Sequence, residues 1–237
     1  MPRAAAALPV RLSPRLAAIA LLALAPGAAT AQLVRSGAGA TSGDLLPVVE
    51  QFRADLGGAL NPNVPGSFAD GRREINWDGV PAALSAPNQL PANFFNVNSP
   101  RGVVFSTPGT GFQVSANAGE GPVEFGNLNP GYPDQFTTFS PQKLFTALAS
   151  NTMDVSFFVP GTTTPASVRG FGAVFTDVDV ADATSLAFFG AGDELLGTFF
   201  APPLNNGLSF LGVSFTSVLI TRVRITTGTA ALGPDEA

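Results

Sequence analysis

Residues 170–227 read GFGAVFTDVDVADATSLAFFGAGDELLGTFFAPPLNNGLSFLGVSFTSVLITRVRITT, and this stretch decides the fold. It falls into apolar runs at 170–178, 184–189, 194–200, 207–215 and 218–227, parted by Gly, Pro, Asn and Asp. Short runs of Val, Phe, Ile and Thr with frequent turn residues predict antiparallel strands. GAGD at 190–193 has the composition of a hairpin turn between two of them. Side chains alternate across a strand, so Leu219, Val223 and Ile225 share one face and Arg222 and Arg224 the other. By the same count Asp177 and Asp179 share a face, with Val174, Val178 and Val180 opposite. The pairs Phe94-Phe95, Phe157-Phe158, Phe188-Phe189 and Phe199-Phe200 put an aromatic ring on both faces. The second face then needs a cover: a helix, a long loop or another subunit.

Working outward towards the N-terminus, further strands are expected at 73–78 (REINWD), 102–106, 111–115 and 152–159. In the first of these Ile75 and Trp77 face together, and Trp77 reads as core before platform. Residues 79–101 and 116–141 are long loops rich in Pro and Asn, the kind of segment that carries ligands. Residues 44–58 (DLLPVVEQFRADLGG) predict a helix: Asp44 caps it, Leu45, Val48, Val49, Phe52 and Leu56 share a face, and Gly57-Gly58 ends it. The expected architecture is all-β, a two-sheet antiparallel β-sandwich with one N-terminal helix, in a single domain over 44–230. Residues 32–43 read as a flexible leader and 231–237 as a tail.

The first 31 residues predict a signal peptide. Arg3, Arg11 and Arg15 form a basic start, and Leu16–Ala25 is an apolar run well short of the roughly 20 residues of a membrane span. Pro26-Gly27 and the small residues Ala29-Thr30-Ala31 place cleavage before Gln32. The expected location is therefore secreted or periplasmic, with no later stretch long enough to span a membrane. Without the three arginines of the leader, nine basic residues face 17 acidic ones, a balance of −8 against −5 for the whole chain. That balance argues against nucleic acid as a partner, because neutralising phosphates needs a basic face. With 45% hydrophobic and only 12% charged residues, the chain is too apolar to be a disordered acidic segment.

Composition also removes chemistry. No histidine and no cysteine occur, which excludes Ser-His-Asp and Cys-His nucleophiles, HExxH sites, disulfides and ordinary zinc sites. No GxxxxGK[ST] loop and no GxGxxG between a strand and a helix is present. Carboxylates remain. Glu74, Asp78, Glu120, Glu124, Asp177 and Asp179 are available to a glycosidase-like pair, but no spacing pairs them. Asp78, Asp177 and Asp179 are candidate ligands for a structural calcium, which takes oxygen donors. The competing reading makes Asp177 and Asp179 cross-strand partners of Arg222 and Arg224 on a salt-bridged outer face. For a glycan, Tyr132 in the loop NPGYPDQ is the candidate exposed ring, with Asn96, Asn98 and Arg101 as polar contacts in the neighbouring loop.

The segments GRREINWDGVP (71–81), NFFNVNSPRGVVFSTPGTGFQVSA (93–116), RGFGAVFTDVD (169–179), TSLAFFGAGDELLGTFF (184–200), LSFLGVSF (208–215) and ITRVRIT (220–226) together resemble a group of exported bacterial proteins. That group is similar to the jelly-roll or lectin-like domains of proteins carrying PEP-CTERM sorting signals. The resemblance spans residues 44–230 and implies a jelly-roll-like sandwich without a catalytic signature. The sequence shows no Pro-Glu-Pro sorting motif, and it stops at TTGTAALGPDEA, where such proteins usually continue into one more strand rich in Asp and aromatics. The resulting expectation is a non-catalytic exported protein that binds an extracellular ligand, a glycan, through its long loops. The alternatives are an extracellular carbohydrate-active hydrolase using an Asp/Glu pair, and a self-associating surface or matrix protein.

Overall fold

A computed structural model describes residues 32–234. The expected signal peptide, residues 1–31, and the last three residues of the tail lie outside that span. The chain folds as an all-β sandwich in which every strand pairing is antiparallel. One sheet has three strands in the order β1-β9-β6: β1 (Gln32–Gly39), β9 (Leu204–Phe215) and β6 (Gly170–Val178). The other has five, β2-β5-β10-β7-β8: β2 (Val103–Ser106), β5 (Thr152–Phe157), β10 (Arg222–Thr226), β7 (Ser185–Phe189) and β8 (Leu195–Phe200). A two-stranded ribbon of β3 (Gly111–Val114) and β4 (Phe145–Leu148) flanks them. Helix α1 spans Ser42–Asp55, and short helical turns α2 (Phe94–Val97) and α3 (Tyr132–Gln135) lie within the long loops.

The main core lies between the two large sheets. Val155, Leu186, Phe188, Val213, Ile220 and Val223 are fully excluded from solvent there. The alternation read from residues 222–226 holds: Val223 and Ile225 are buried, while Arg222 and Arg224 stand on the outer face. Leu219 departs from it. It is 51% exposed, because β10 starts only at Arg222 and Ile220 is the residue that turns inward, bridging to Val168.

A second, smaller core joins α1 to the outer face of the three-stranded sheet. Leu45, Val49 and Phe52 of the helix meet Leu208 and Phe210 of β9. The central strand β9 is thus buried on both faces, with Leu211, Val213 and Phe215 turned to the sandwich interior and Leu208 and Phe210 to the helix. The helix comes this close because glycines lie beneath it. A Cβ added at Gly172 or Gly212, which pair across β6 and β9, would stand 2.8 Å from the Phe52 ring, and one at Gly37 would stand 3.1 Å from Val48.

Three sequence-based expectations are corrected here. Residues 32–43 are not a flexible leader. Gln32–Gly39 pair residue for residue with Phe215–Leu208, and Arg35 binds Asp55 of α1 at 2.6 Å. Residues 73–78 are not a strand. The Asn76 side chain accepts the Asp78 N–H and starts a 3₁₀ turn at Trp77–Gly79, a local bond that competes with a ladder. Residues 94–95 put both phenylalanines inside because they belong to α2. Elsewhere the doubled aromatics have different covers: the Arg222 guanidinium lies 3.7 Å over the Phe189 ring, whereas Phe200 is 45% exposed. The helix, 42–55, starts two residues earlier than expected, with Thr41 and Asp44 forming a capping box.

The glycine bed yields a test. Gly212→Ala forces the Phe52 ring or the helix to move and should destabilise the fold by about 1–3 kcal/mol in urea unfolding. Adding Phe52→Leu should restore part of that loss, since the smaller side chain gives the methyl room. Equal stability of Gly212→Ala and the parent would show that the helix is not seated on this spot.

Candidate functional site

A cleft of about 1310 Å³ opens between the two sheets. Phe171, Ala173 and Phe175 of the edge strand β6 form one wall, and Met153, Val155 and Phe157 of β5 form the other. It continues round β6 to Phe52 and Leu56 at the base of α1. Trp77 and Phe145, stacked at 4.2 Å with their planes 8° apart, belong to the lining, so Trp77 packs against the core, from a 3₁₀ turn and not from the expected strand.

The charges around this apolar space are unevenly placed. Glu74 is a hub: its carboxylate accepts from Arg53 and Arg72, and its backbone carbonyl accepts from Arg101 Nε at 2.6 Å. Burial works against the Glu74 carboxylate, but the two guanidinium groups outweigh it and hold the group below its ordinary range. Arg73 beside them has no carboxylate. It donates to the carbonyls of Pro62, Val64, Gly66 and Pro100, which ties down the loop after α1. Burial, and then the neighbouring Arg101, pull its guanidinium below the usual value. Arg101 is likewise lowered by burial, and its Nη1 is enclosed without a hydrogen-bond partner.

Of the residues that sequence marks as glycan contacts, only Arg101 lines the cleft in an available state. Tyr132 is not exposed. It is 2% accessible, stacks on Phe136 at 4.7 Å, and its hydroxyl both donates to the Gly233 carbonyl and accepts from the Gly233 N–H. That contact also docks the start of the expected tail. Asn96 is buried and committed to Thr162 O and Gly161 N, while Asn98 is exposed at the end of α2. The loops around 92–101 and 127–134 are thus packed by their own polar groups.

The three candidate calcium ligands do not converge. Asp78 accepts from Lys143 N and Ser140 Oγ, which anchors the chain entering β4. Asp177 and Asp179 do come together, but among the described residues no group of three acidic ligands forms. Nor do they face Arg222 and Arg224. Those arginines lie in the other sheet and pair with Asp154, and Arg222 also with Asp193. Asp177 sits at a bulge with φ +55°, where its carboxylate accepts the Asn206 N–H at 2.7 Å. The bulge shifts the phase of β6, so Val178 joins Phe175 in the main core while Val174 faces the helix, contrary to the simple alternation.

Sequence reasoning passes over Lys143, the one lysine of the chain. It is 3% exposed, donates to Val80 O and Ser85 Oγ, and lines the same cleft. Its solitude in an acidic chain was the available signal. No helix among the described residues is long and apolar enough to cross a membrane. Comparison with protein-family models, with curated proteins and with solved structures finds no match to this chain.

The Asp177–Asp179 pair makes a pH prediction. Burial raises the Asp177 carboxyl, the Asn206 N–H opposes that rise, and the Asp179 charge adds to it. A raised native value means that the folded state holds the proton more tightly than the unfolded chain. Stability is therefore lost as pH climbs from the ordinary carboxyl range through the native value. Asp177→Asn keeps an acceptor for Asn206 and tolerates positive φ. It should raise the melting temperature near neutral pH, and the gain should vanish below about pH 4. A lower melting temperature at neutral pH would refute this account of the pair.

Proposed function

We propose that the protein is an exported ligand-binding protein whose ligand occupies the cleft between the sheets. The observation that supports this is an open, mainly apolar space of about 1310 Å³ that runs from between the sheets round β6 to the base of α1. Small-molecule sites run to roughly 300–1,000 Å³, so the space is ample, and a closed core would not leave such a gap. Cleavage between Ala31 and Gln32 would leave β1 starting at the new terminus, keeping every paired residue of that strand.

A glycan site at the loops has lost its platform, because Tyr132 is buried and Trp77 is stacked on Phe145. A hydrolase reading fares no better at Asp177 and Asp179. They are two residues apart on one chain segment and interact side by side, whereas glycosidase carboxyls face each other across roughly 5–9 Å.

The neutral dye Nile red tests the reading. The purified protein should bind it saturably in the native state. At about 100 times its dissociation constant the dye should add ~2.7 kcal/mol and raise the melting temperature by roughly 5–10 °C. Ala173 is a small side chain on the cleft wall. Ala173→Trp, or the milder Ala173→Leu, should weaken the dye at least tenfold while unfolding stays cooperative. Failure of the native protein to bind the dye, or binding indifferent to both substitutions, overturns the proposal.

A further inference from the structure

Nine cationic side chains fall among the described residues: Arg35, Arg53, Arg72, Arg73, Arg101, Lys143, Arg169, Arg222 and Arg224. Five of them have a carboxylate at salt-bridge distance. The four that do not are Arg73, Arg101, Lys143 and Arg169, and all four line the cleft. In a chain with 17 acidic residues, leaving the enclosed ones among these, Arg101 and Lys143, without counter-charge beside an apolar space is costly unless something else supplies the charge.

Three of the four gather at one end. Arg73 donates to Pro100 O, next to Arg101; burial, and then the Arg101 charge, lower its guanidinium. Arg101 precedes β2, whose Val103 pairs with Phe157 of β5. Ala166, just before Arg169, donates to Phe157 O, and the Phe157 ring meets Phe171 of β6 at 6.1 Å. Arg169 itself is exposed at the start of β6. At the far end of that strand stand Asp177 and Asp179. Eight residues of extended chain separate Arg169 from Asp177, roughly 26 Å. The cleft is therefore polarised lengthwise: where β6 begins, cations outnumber the carboxylates of Asp70 and Glu74, and where it ends stand Asp177 and Asp179, with aromatic and aliphatic walls between.

We infer that the ligand is a long-chain fatty acid, bound with its carboxylate at Arg101 and Arg169 and its chain laid along β6. This rests on the cleft being a binding site, as proposed above, and adds the chemistry of its ligand. Arg101 brings an enclosed N–H with no partner, and Arg169 brings a free guanidinium at the mouth. A guanidinium donates in a planar fork that matches a carboxylate, and the bond is charge-assisted on both sides. Arg73 has its donors engaged by carbonyls, so it contributes charge without a direct contact. The walls supply the apolar burial that an alkyl chain needs. The acidic far end disfavours the reverse orientation.

Displacement of Nile red from the purified protein decides it. Hexadecanoate should displace the dye, and methyl hexadecanoate, of the same length but without charge, should do so at least tenfold more weakly. Arg169→Gln, an exposed position with little bearing on folding, should weaken hexadecanoate by roughly tenfold and leave the methyl ester unchanged. Arg101→Gln should do the same, more strongly. Equal competition by acid and ester overturns the fatty-acid inference while the binding reading stands, as does hexadecanoate binding that ignores Arg169→Gln. Displacement by a lysophosphatidic acid but not by hexadecanoate also overturns it, in favour of a phosphate headgroup. Absence of Nile red binding fails both readings at once.

Discussion

Strand β9 is covered on both faces, and most of the molecule is arranged around that burial. Leu211, Val213 and Phe215 close the sandwich from one side, while Leu208 and Phe210 receive the helix on the other. A helix laid on a sheet normally rides on side chains. Here Phe52 reaches the backbone itself, because Gly172 and Gly212 sit opposite each other beneath the ring. The approach pulls α1 against β1, where Arg35 and Asp55 join them, and so holds in place a strand with little apolar content of its own. The three-stranded sheet is therefore a composite of backbone pairing and helix docking, with β9 contributing the burial to each.

Edge strand β6 pays for this arrangement by remaining uncovered along its other side. The five-stranded sheet is wider than the three-stranded one, so the inner faces do not meet along their whole width. The space left over is the cleft: its floor, Met153, Val155 and Phe157, is buried, and it opens at half-buried Phe171 and Ala173 of β6. Polar groups respond to the same geometry. Cations near Glu74 outnumber the carboxylates that could balance them, and burial leaves Arg73 and Arg101 lowered from their usual values. At the far end the Asp177 carboxyl is raised by burial and by the neighbouring Asp179 charge. A dipolar gap with apolar walls is thus a product of how the two sheets differ in width.

Much of the strand pattern was legible. Residues 170–178 and 222–226 show their structure in their composition, because each alternates or saturates with apolar side chains that a sheet must bury. The turn at 190–193 was legible for the same local reason, and Gly190 and Glu194 close it by a backbone bond of 3.0 Å. Elements held by distant partners were not. Gln32–Gly39 carries glycine and serine where a strand former would be expected, and it is a strand only because β9 offers it a ladder. Phe145–Leu148 likewise depends on its pairing with residues 111–114. Tyr132 looked exposed in a Gly/Pro loop, yet a contact with Gly233, about a hundred positions along the chain, takes it inside. Of the site residues, Arg101 was named, but nothing local distinguishes it from the arginines that found carboxylates.

The sequence by itself determined what depends on neighbours in the chain: the period of the strands, the amphipathic helix, the absence of imidazole and thiol chemistry, and the acidic balance. Tertiary structure alone decided which charges pair and which do not. That division has a physical cause. Hydrophobic period and turn geometry act over a few residues, whereas an ion pair needs two groups within about 4 Å, whatever their separation in sequence. Arg222 and Arg224 found Asp154 across a strand, not the Asp177 and Asp179 that phase alone had suggested. Arg101 and Arg169 found none, and only the folded sheets show that both face the same cleft.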